Sequence, residues 1–181
     1  MYNDTMNSTK ERWKAEYRRL YLADLKKRSP VWYADSPQPD VYLVWPKVKT
    51  ANGLTKAICN FLKWNGHYSN RINTQGQART KKIPKYSLSS GKVEYLEKVW
   101  HTKSTTRRGT ADIDSIIYGR AVKIEVKVGV DVMSEWQVKE KERVEAAGGL
   151  YYLASDMEAF YQWYISTFEA DPDFYTTPEG Y

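Results

Sequence analysis

Residues 109–127 combine two short runs of alternating side chains around one glycine, a pattern typical of a β-hairpin. The stretch reads GTADIDSIIYGRAVKIEVK. Because successive side chains of a strand point to opposite faces, the second run places Val122, Ile124 and Val126 on one face and its charged residues on the other. Gly119 permits a tight two-residue turn. The stretch therefore predicts two antiparallel strands with one aliphatic face.

The register of this hairpin decides which charged side chains lie opposite each other. A Gly119-Arg120 turn places Asp112 opposite Lys127, whereas a Tyr118-Gly119 turn places Asp112 opposite Glu125. A three-residue turn would scramble the two faces, so we expect one of the two-residue turns. Either register collects the same charged side chains on one face: Asp112, Asp114, Glu125 and Lys127.

Two interpretations of this charged face stay open. Opposed residues have Cβ atoms about 5 Å apart, and carboxylates that close repel each other unless a cation lies between them. Such a cluster can bind Mg²⁺ or Mn²⁺, which prefer oxygen ligands, and a metal with a neighbouring lysine suits phosphate-ester hydrolysis. The alternative is a solvated, salt-bridged face above a buried one, which is common in antiparallel hairpins.

Hydrophobic periodicity predicts four helices and three further strands. The helix over 53–65 has an apolar face, with Asn52 as its N-cap and Gly66 just beyond its end. Capping-box spacing at Ser134 and Gln137 begins a helix, and Ser155 with Glu158 begins an aromatic one. The helix that Ser134 begins is expected over 135–147, and the other expected elements are a helix over 8–27 and strands over 67–73, 93–100 and 150–154.

This order of elements predicts an α/β fold with a central mixed sheet flanked by helices. Residues 1–49 are expected to form an N-terminal helix and a proline-rich linker that wraps the surface, since Pro30, Pro37, Pro39 and Pro46 break regular structure. The core is expected over 50–168. An acidic tail is expected over 169–181.

Charge is concentrated in the middle of the chain. Residues 71–108 hold ten Lys and Arg and two Glu, a net charge of +8, while the whole chain is +6. Such an excess suits a polyanion such as nucleic acid, although a solvated basic loop explains it as well. The single cysteine and the absence of an apolar leader or a membrane-length apolar run predict an intracellular protein without a membrane partner.

The ordered motifs resemble the VRR-NUC group of PD-(D/E)XK nucleases, most nearly the small stand-alone nucleases of bacteriophages. The likeness spans about residues 50–165. It rests on Gly109-Thr110-Ala111-Asp112, the hairpin, Ile124-Glu125-Val126-Lys127, Ser134-x-x-Gln137 and Gly148-Gly149 before an aromatic strand.

The resemblance implies a PD-(D/E)XK core and Mg²⁺- or Mn²⁺-dependent cleavage of DNA, in some members of branched DNA such as Holliday junctions. It makes Asp112 and Glu125 metal ligands, with the Val126 carbonyl as a further one. It makes Lys127 the catalytic lysine and Gln137 the glutamine of the following helix.

The chain departs from the family pattern at three places. Ala111 replaces the proline of the PD motif, and the segment 128–133 is more apolar than expected. The upstream helix begins Thr50-Ala51-Asn52-Gly53, where many relatives carry a glutamate. Either Asn52 substitutes for it, or Asp114 completes the site.

The first functional hypothesis is accordingly a DNA endonuclease whose substrate is duplex or branched DNA. It would act in phage recombination, repair or packaging, in the host cytoplasm. The alternatives are a nuclease-like protein that binds nucleic acid without cutting it, and an RNA nuclease. A homodimer is a further expectation. The expected phosphate contacts are Arg71, Lys81, Lys82, Arg107 and Arg108.

Overall fold

A computed structural model describes residues 9–72, 78–86, 91, 93–101 and 107–169. The fold is α/β, with a mixed four-stranded sheet and helices, as predicted. The helices are α1 (Thr9–Arg28), α2 (Pro30–Asp35), α3 (Ala51–Trp64), α4 (Glu135–Ala146) and α5 (Met157–Tyr164), with a 3₁₀ turn at Pro39–Tyr42 and a π-helical turn at Ile165–Glu169. The strands are β1 (Tyr68–Arg71), β2 (Ala78–Tyr86), β3 (Val93–His101), β4 (Ile113–Ile117), β5 (Arg120–Val126) and β6 (Leu150–Ala154).

The central sheet has the order β1-β4-β5-β6. Strands β1 and β4 pair antiparallel, as do β4 and β5, whereas β5 and β6 are parallel. Helix α4 makes the crossover between β5 and β6, because a parallel pair needs a long connection. The sheet is therefore mixed.

The hairpin adopts the Tyr118-Gly119 turn, one of the two predicted registers. Ile117 pairs with Arg120, and Asp114 pairs with Lys123. Both turn residues have positive φ, 47° at Tyr118 and 77° at Gly119, as a type I′ turn requires. This register directs Asp112 towards the position opposite Glu125.

Helices α3 and α5 pack on one face of the sheet, and α1 packs on α3 and α5. Ile113, Ile117, Val122 and Ile124 are fully buried under the apolar face of α3. Helix α1 joins this core through the buried Trp13, Tyr17 and Leu20, and its Leu25 is buried as well. The N-terminal helix is therefore packed on the body of the protein.

The proline-rich segment contains more regular structure than predicted. Pro30 and Pro39 lie at the starts of α2 and the 3₁₀ turn, where a missing N–H and a fixed φ favour a helix. Proline therefore initiates short helices here. The segment adheres to the body through Trp45, whose ring contacts those of Trp13 and Tyr17.

Three local predictions were wrong or incomplete. The N-cap of α3 is Thr50, whose hydroxyl accepts the Gly53 N–H, and not Asn52. The N-cap of α5 is Asp156, and not Ser155. Strand β2 is absent from the predicted elements because it contains Pro84; a two-stranded ribbon has only edge strands, which tolerate proline.

Strands β2 and β3 form this separate ribbon, whose described side chains are all exposed.

Gly66 has a φ of 83° just after α3, and the Ser134–Gln137 capping box is complete, both as predicted. No helix in the described part of the chain is both long and apolar enough to cross a membrane. The acidic tail lies almost wholly outside the described residues, which end at residue 169.

Candidate functional site

A polar pocket of about 310 Å³ lies where strand β5 ends. Asp112 immediately precedes β4 and Val126 is the last residue of β5, and because these strands are antiparallel, both residues lie at the same end of the sheet. The residues on which its chemistry depends are Asn52, Asp112, Glu125, Lys127, Asp131 and Gln137, and Arg71 and Val126 also line it. The four predicted catalytic residues thus share one pocket.

The half-buried Asp112 is anchored to the neighbouring strand. Its Oδ2 atom accepts the backbone N–H of Val126 at 3.0 Å. That bond fixes the carboxylate beside Glu125, the residue that the strand register places opposite it. Asp112 and Glu125 therefore form a close carboxylate pair.

Glu125 is buried, although strand alternation places it on the charged face of the hairpin. It is 3% exposed, because α4 covers this face. Its Oε1 atom accepts a hydrogen bond from Gln137 Nε2 and lies 3.4 Å from Lys127 Nζ. Its Oε2 atom is buried without a partner among the described residues. Glu125 is therefore not solvated, but it is ion-paired with Lys127, so the salt-bridged interpretation of this face stays open.

This environment disfavours the charge of Glu125. Burial, and then the negative charge of Asp112, raise the pKa of Glu125 to about 7 from 4.5, despite the opposing charge of Lys127. A buried carboxylate with one unpartnered oxygen is unfavourable unless a cation or a proton compensates it. The pocket is thus suited to binding either.

Lys127 is held between two acids. Its Nζ atom lies 3.1 Å from Asp131 and 3.4 Å from Glu125. Burial lowers the pKa of Lys127, but the hydrogen bonds and charges of Asp131 and Glu125 outweigh that effect and raise it overall. Lys127 is therefore a cation at neutral pH. Its partner Asp131 was not predicted; an acid four residues after the motif lysine was the only sequence signal.

The side-chain amide of Gln137 makes two hydrogen bonds, one within the cap of α4 and one to the candidate site. Its Oε1 atom accepts the backbone N–H of Ser134 at 2.8 Å, which completes the capping box of α4. Its Nε2 atom donates to Glu125. The two interpretations of this residue, helix cap and site residue, are therefore both represented in the structure.

Gly109 brings the start of α4 against the Asp112 segment. A Cβ atom built there would lie 2.3 Å from the carbonyl oxygen of Trp136 and 3.1 Å from the Gln137 nitrogen, at a φ of +85°. No side chain fits at that distance. The glycine of the GTAD motif is therefore a packing requirement of the site.

We expect Gly109→Ala to lower the free energy of unfolding by about 2 kcal/mol or more, since it combines backbone strain with a steric collision. Gly66→Ala is the matched control, because Gly66 has a φ of +83° but no atom within 4 Å of its added Cβ. Urea unfolding of both variants measures the difference. Equal losses would contradict the packing role.

The remaining candidate ligands are placed differently. Asp114 does not line the pocket; its Oδ1 atom pairs with Lys123 Nζ at 2.7 Å. Asn52 does line it, with its Oδ1 atom 2.5 Å from Arg71 NH2. Of the two ways to replace the family glutamate, the structure brings Asn52 and not Asp114 to the pocket.

The residues present fit a metal ion only in part. Within the described ranges, no three His, Cys, Asp or Glu side chains form a group that could hold a metal ion. Oxygen donors are nevertheless available there, because Glu125 Oε2 has no partner among the described residues and Asp112, Asn52 and Val126 line the same pocket. Sequence patterns gave no signal for a further polar group near this pair, Tyr151. Its buried hydroxyl has no partner among the described residues, and burial and then the charges of Glu125 and Asp112 raise its pKa.

The predicted phosphate contacts fall in three places. Arg71 lines the pocket, and Lys81 and Lys82 are exposed on the β2–β3 ribbon. Arg107 and Arg108 are exposed in the turn that leads to Gly109. Of the two histidines, His67 bonds to the Tyr164 hydroxyl at 2.8 Å in the core. The side chain of His101 lies outside the described residues.

Searches of known proteins add nothing to this geometry, since no protein-family model, curated protein or solved structure matches the chain. The resemblance to the VRR-NUC group accordingly rests on the motif residues alone.

Proposed function

We propose that this chain is a divalent-metal-dependent nuclease with a PD-(D/E)XK-like core that hydrolyses phosphodiester bonds in DNA. The observation that carries the proposal is the half-buried Asp112 beside the buried Glu125, one of whose carboxylate oxygens has no partner among the described residues and whose pKa is raised to about 7. Mg²⁺ and Mn²⁺ prefer such oxygen ligands. Asp112, Glu125, the Val126 carbonyl and Asn52 are the groups that would hold the ion.

A bound divalent cation would polarise the phosphodiester and lower the pKa of a coordinated water. Residues of the chain would orient the metal ligands and compensate the negative charge of the phosphate. The Val126 N–H fixes Asp112, and Gln137 fixes Glu125. Lys127, a cation at neutral pH, lies within reach of negative charge that develops on the phosphate. Its raised pKa suits that electrostatic role and not the role of a general base.

The test is an assay of the purified protein on DNA duplex, four-way junction, flap and RNA side by side, with Mg²⁺, Mn²⁺ or a chelator. We expect cleavage that depends on the metal. The distribution of cleavage among the four substrates then decides between DNA and RNA and between duplex and branched DNA. Absence of metal-dependent cleavage on all four would contradict the nuclease assignment.

A protein that binds nucleic acid without cutting it is the second candidate. It is favoured by the lack of a three-residue metal cluster in the described ranges and by Lys127, whose charge already faces Glu125. Titration calorimetry separates the two, because a nuclease of this kind binds Mn²⁺ on its own. No heat of Mn²⁺ binding together with tight, salt-sensitive DNA binding would favour this candidate.

The homodimer stays a prediction, which sedimentation at several concentrations tests.

A further inference from the structure

A second cleft opens beside the candidate site. It has a volume of about 660 Å³ and lies between α3, the segment that precedes it and the end of β1. Asn52 and Arg71 line both this cleft and the pocket that holds Asp112 and Glu125. The cleft therefore adjoins the pocket of the carboxylate pair, and the hydrogen-bonded side chains of Asn52 and Arg71 lie between them.

The cleft is strongly cationic. Its described lining contains Lys47, Lys56, Lys63 and Arg71 and no carboxylate. None of the three lysines has an ion-pair partner among the described residues. Like charges gathered in a concave surface create a positive potential that attracts an anion. The cleft is thus complementary to a polyanion.

Helix α3 places two of these cations, Lys56 and Lys63, in one row with two asparagines. Asn52, Lys56, Asn60 and Lys63 follow at intervals of four, four and three residues, so they form one stripe on the face opposite the buried Leu54, Ile58 and Phe61. The stripe is about 16 Å long at 1.5 Å per residue. A row of this kind contacts successive groups along an extended chain.

Trp45 adds a stacking surface. Its ring is backed by Tyr17, with centroids 6.0 Å apart and planes 28° apart, and it touches Trp13 edge-on. It is nevertheless 45% exposed and lines the cleft. Aromatic rings beside basic grooves bind the flat faces of unpaired bases. A cleft of this volume suits a few nucleotides of an unpaired strand, whose bases are free to stack, better than a paired duplex.

We propose that this cleft binds an unpaired strand of nucleic acid and directs it to the candidate site. Lys56, Lys63 and Arg71 contact the phosphates, and Trp45 stacks on a base. The choice of a nucleic-acid ligand rests on the proposed function. The substrate class is then DNA with an unpaired segment, such as a flap or an open junction.

The test is binding of a fluorescein-labelled oligothymidylate and of a blunt DNA duplex, followed by fluorescence anisotropy at several salt concentrations. All proteins carry Asp112→Asn and are kept in chelator, so that cleavage plays no part. We expect the double variant Lys56→Glu/Lys63→Glu to bind the oligothymidylate about tenfold or more weakly, with a shallower salt dependence. Trp45→Ala is expected to lose about tenfold with an unchanged salt dependence.

Two controls make the outcome specific. Lys26→Glu/Lys27→Glu makes the same change in net charge at exposed helical positions outside the cleft and should alter binding by much less. Trp45→Phe should restore part of the affinity lost in Trp45→Ala, and thermal melting identifies any variant that fails to fold. Equal losses in the Lys56/Lys63 and Lys26/Lys27 variants, or tighter binding of the duplex, would overturn the proposal. An absence of cleavage by the unsubstituted protein would overturn the nuclease assignment and leave these binding results standing.

Discussion

Asp112→Asn should abolish metal-dependent cleavage while leaving the fold intact. Loss of a group that merely supports a metal ligand typically costs 10- to 100-fold, so loss of a ligand carboxylate should cost more than about a hundredfold. The fold should survive because an asparagine oxygen can still accept the Val126 N–H that Asp112 binds at 3.0 Å. Cleavage rate per folded protein is the measurement, with circular dichroism to verify folding.

Asp114→Asn is the matched control. Asp114 lies two residues away on the same hairpin face, yet its carboxylate pairs with Lys123 and not with the pocket. We expect it to retain cleavage close to that of the unsubstituted protein, since an exposed ion pair contributes at most about 1 kcal/mol. Full activity of Asp112→Asn would refute the proposed site. Loss of activity in a folded Asp114→Asn protein would show that Asp114, and not Asn52, completes it.

Glu125→Gln should remove metal binding and yet stabilise the metal-free protein at pH 8. The pKa of Glu125 is raised to about 7 in the folded protein, from 4.5. Between these values the folded state binds more protons than the unfolded state, so the stability contributed by this group is complete below pH 4.5 and is lost as pH rises through 7. The full loss amounts to about 3 kcal/mol, at 1.36 kcal/mol for each unit of pKa.

Glutamine keeps the acceptor oxygen that Gln137 and Lys127 contact, but it carries no charge to desolvate. In chelator at pH 8 the variant should therefore melt about 5–10 °C above the unsubstituted protein, and the difference should nearly vanish at pH 4.5. Added Mn²⁺ should raise the melting temperature of the unsubstituted protein alone, because only its site binds the ion. A lower melting temperature for Glu125→Gln at pH 8 in chelator would show that the carboxylate is compensated within the metal-free fold.

Local rules predicted the parts of this fold that depend on neighbouring residues. Period-two alternation identified β4 and β5, the glycine identified their turn, and Ser134 with Gln137 identified the start of α4. The same rules failed where two local signals compete, as at the α3 cap, where Thr50 and not Asn52 accepts the Gly53 N–H. They also failed at β2, because proline usually disfavours a strand.

The sequence predicted which residues form the candidate site better than it predicted their burial and their charged neighbours. The shared face of Asp112, Glu125 and Lys127 follows from hairpin register, and their convergence on one pocket agrees with it. Alternation alone does not show that Glu125 is buried, since that depends on α4 covering the charged face. Nor does it show that Asp131 faces Lys127, because that segment is irregular.

By itself the sequence determined an α/β chain with a two-residue hairpin, its charges on one face and a strongly basic middle, because each of these depends on spacing along the chain. Only the tertiary structure decided which charges are compensated. It paired Asp114 with Lys123, left one oxygen of Glu125 without a partner in the described part of the chain, and joined Trp45, Lys56 and Arg71 in one cleft. The physical reason is that burial and electrostatic coupling act between groups that are distant in sequence and adjacent only after the helices pack on the sheet.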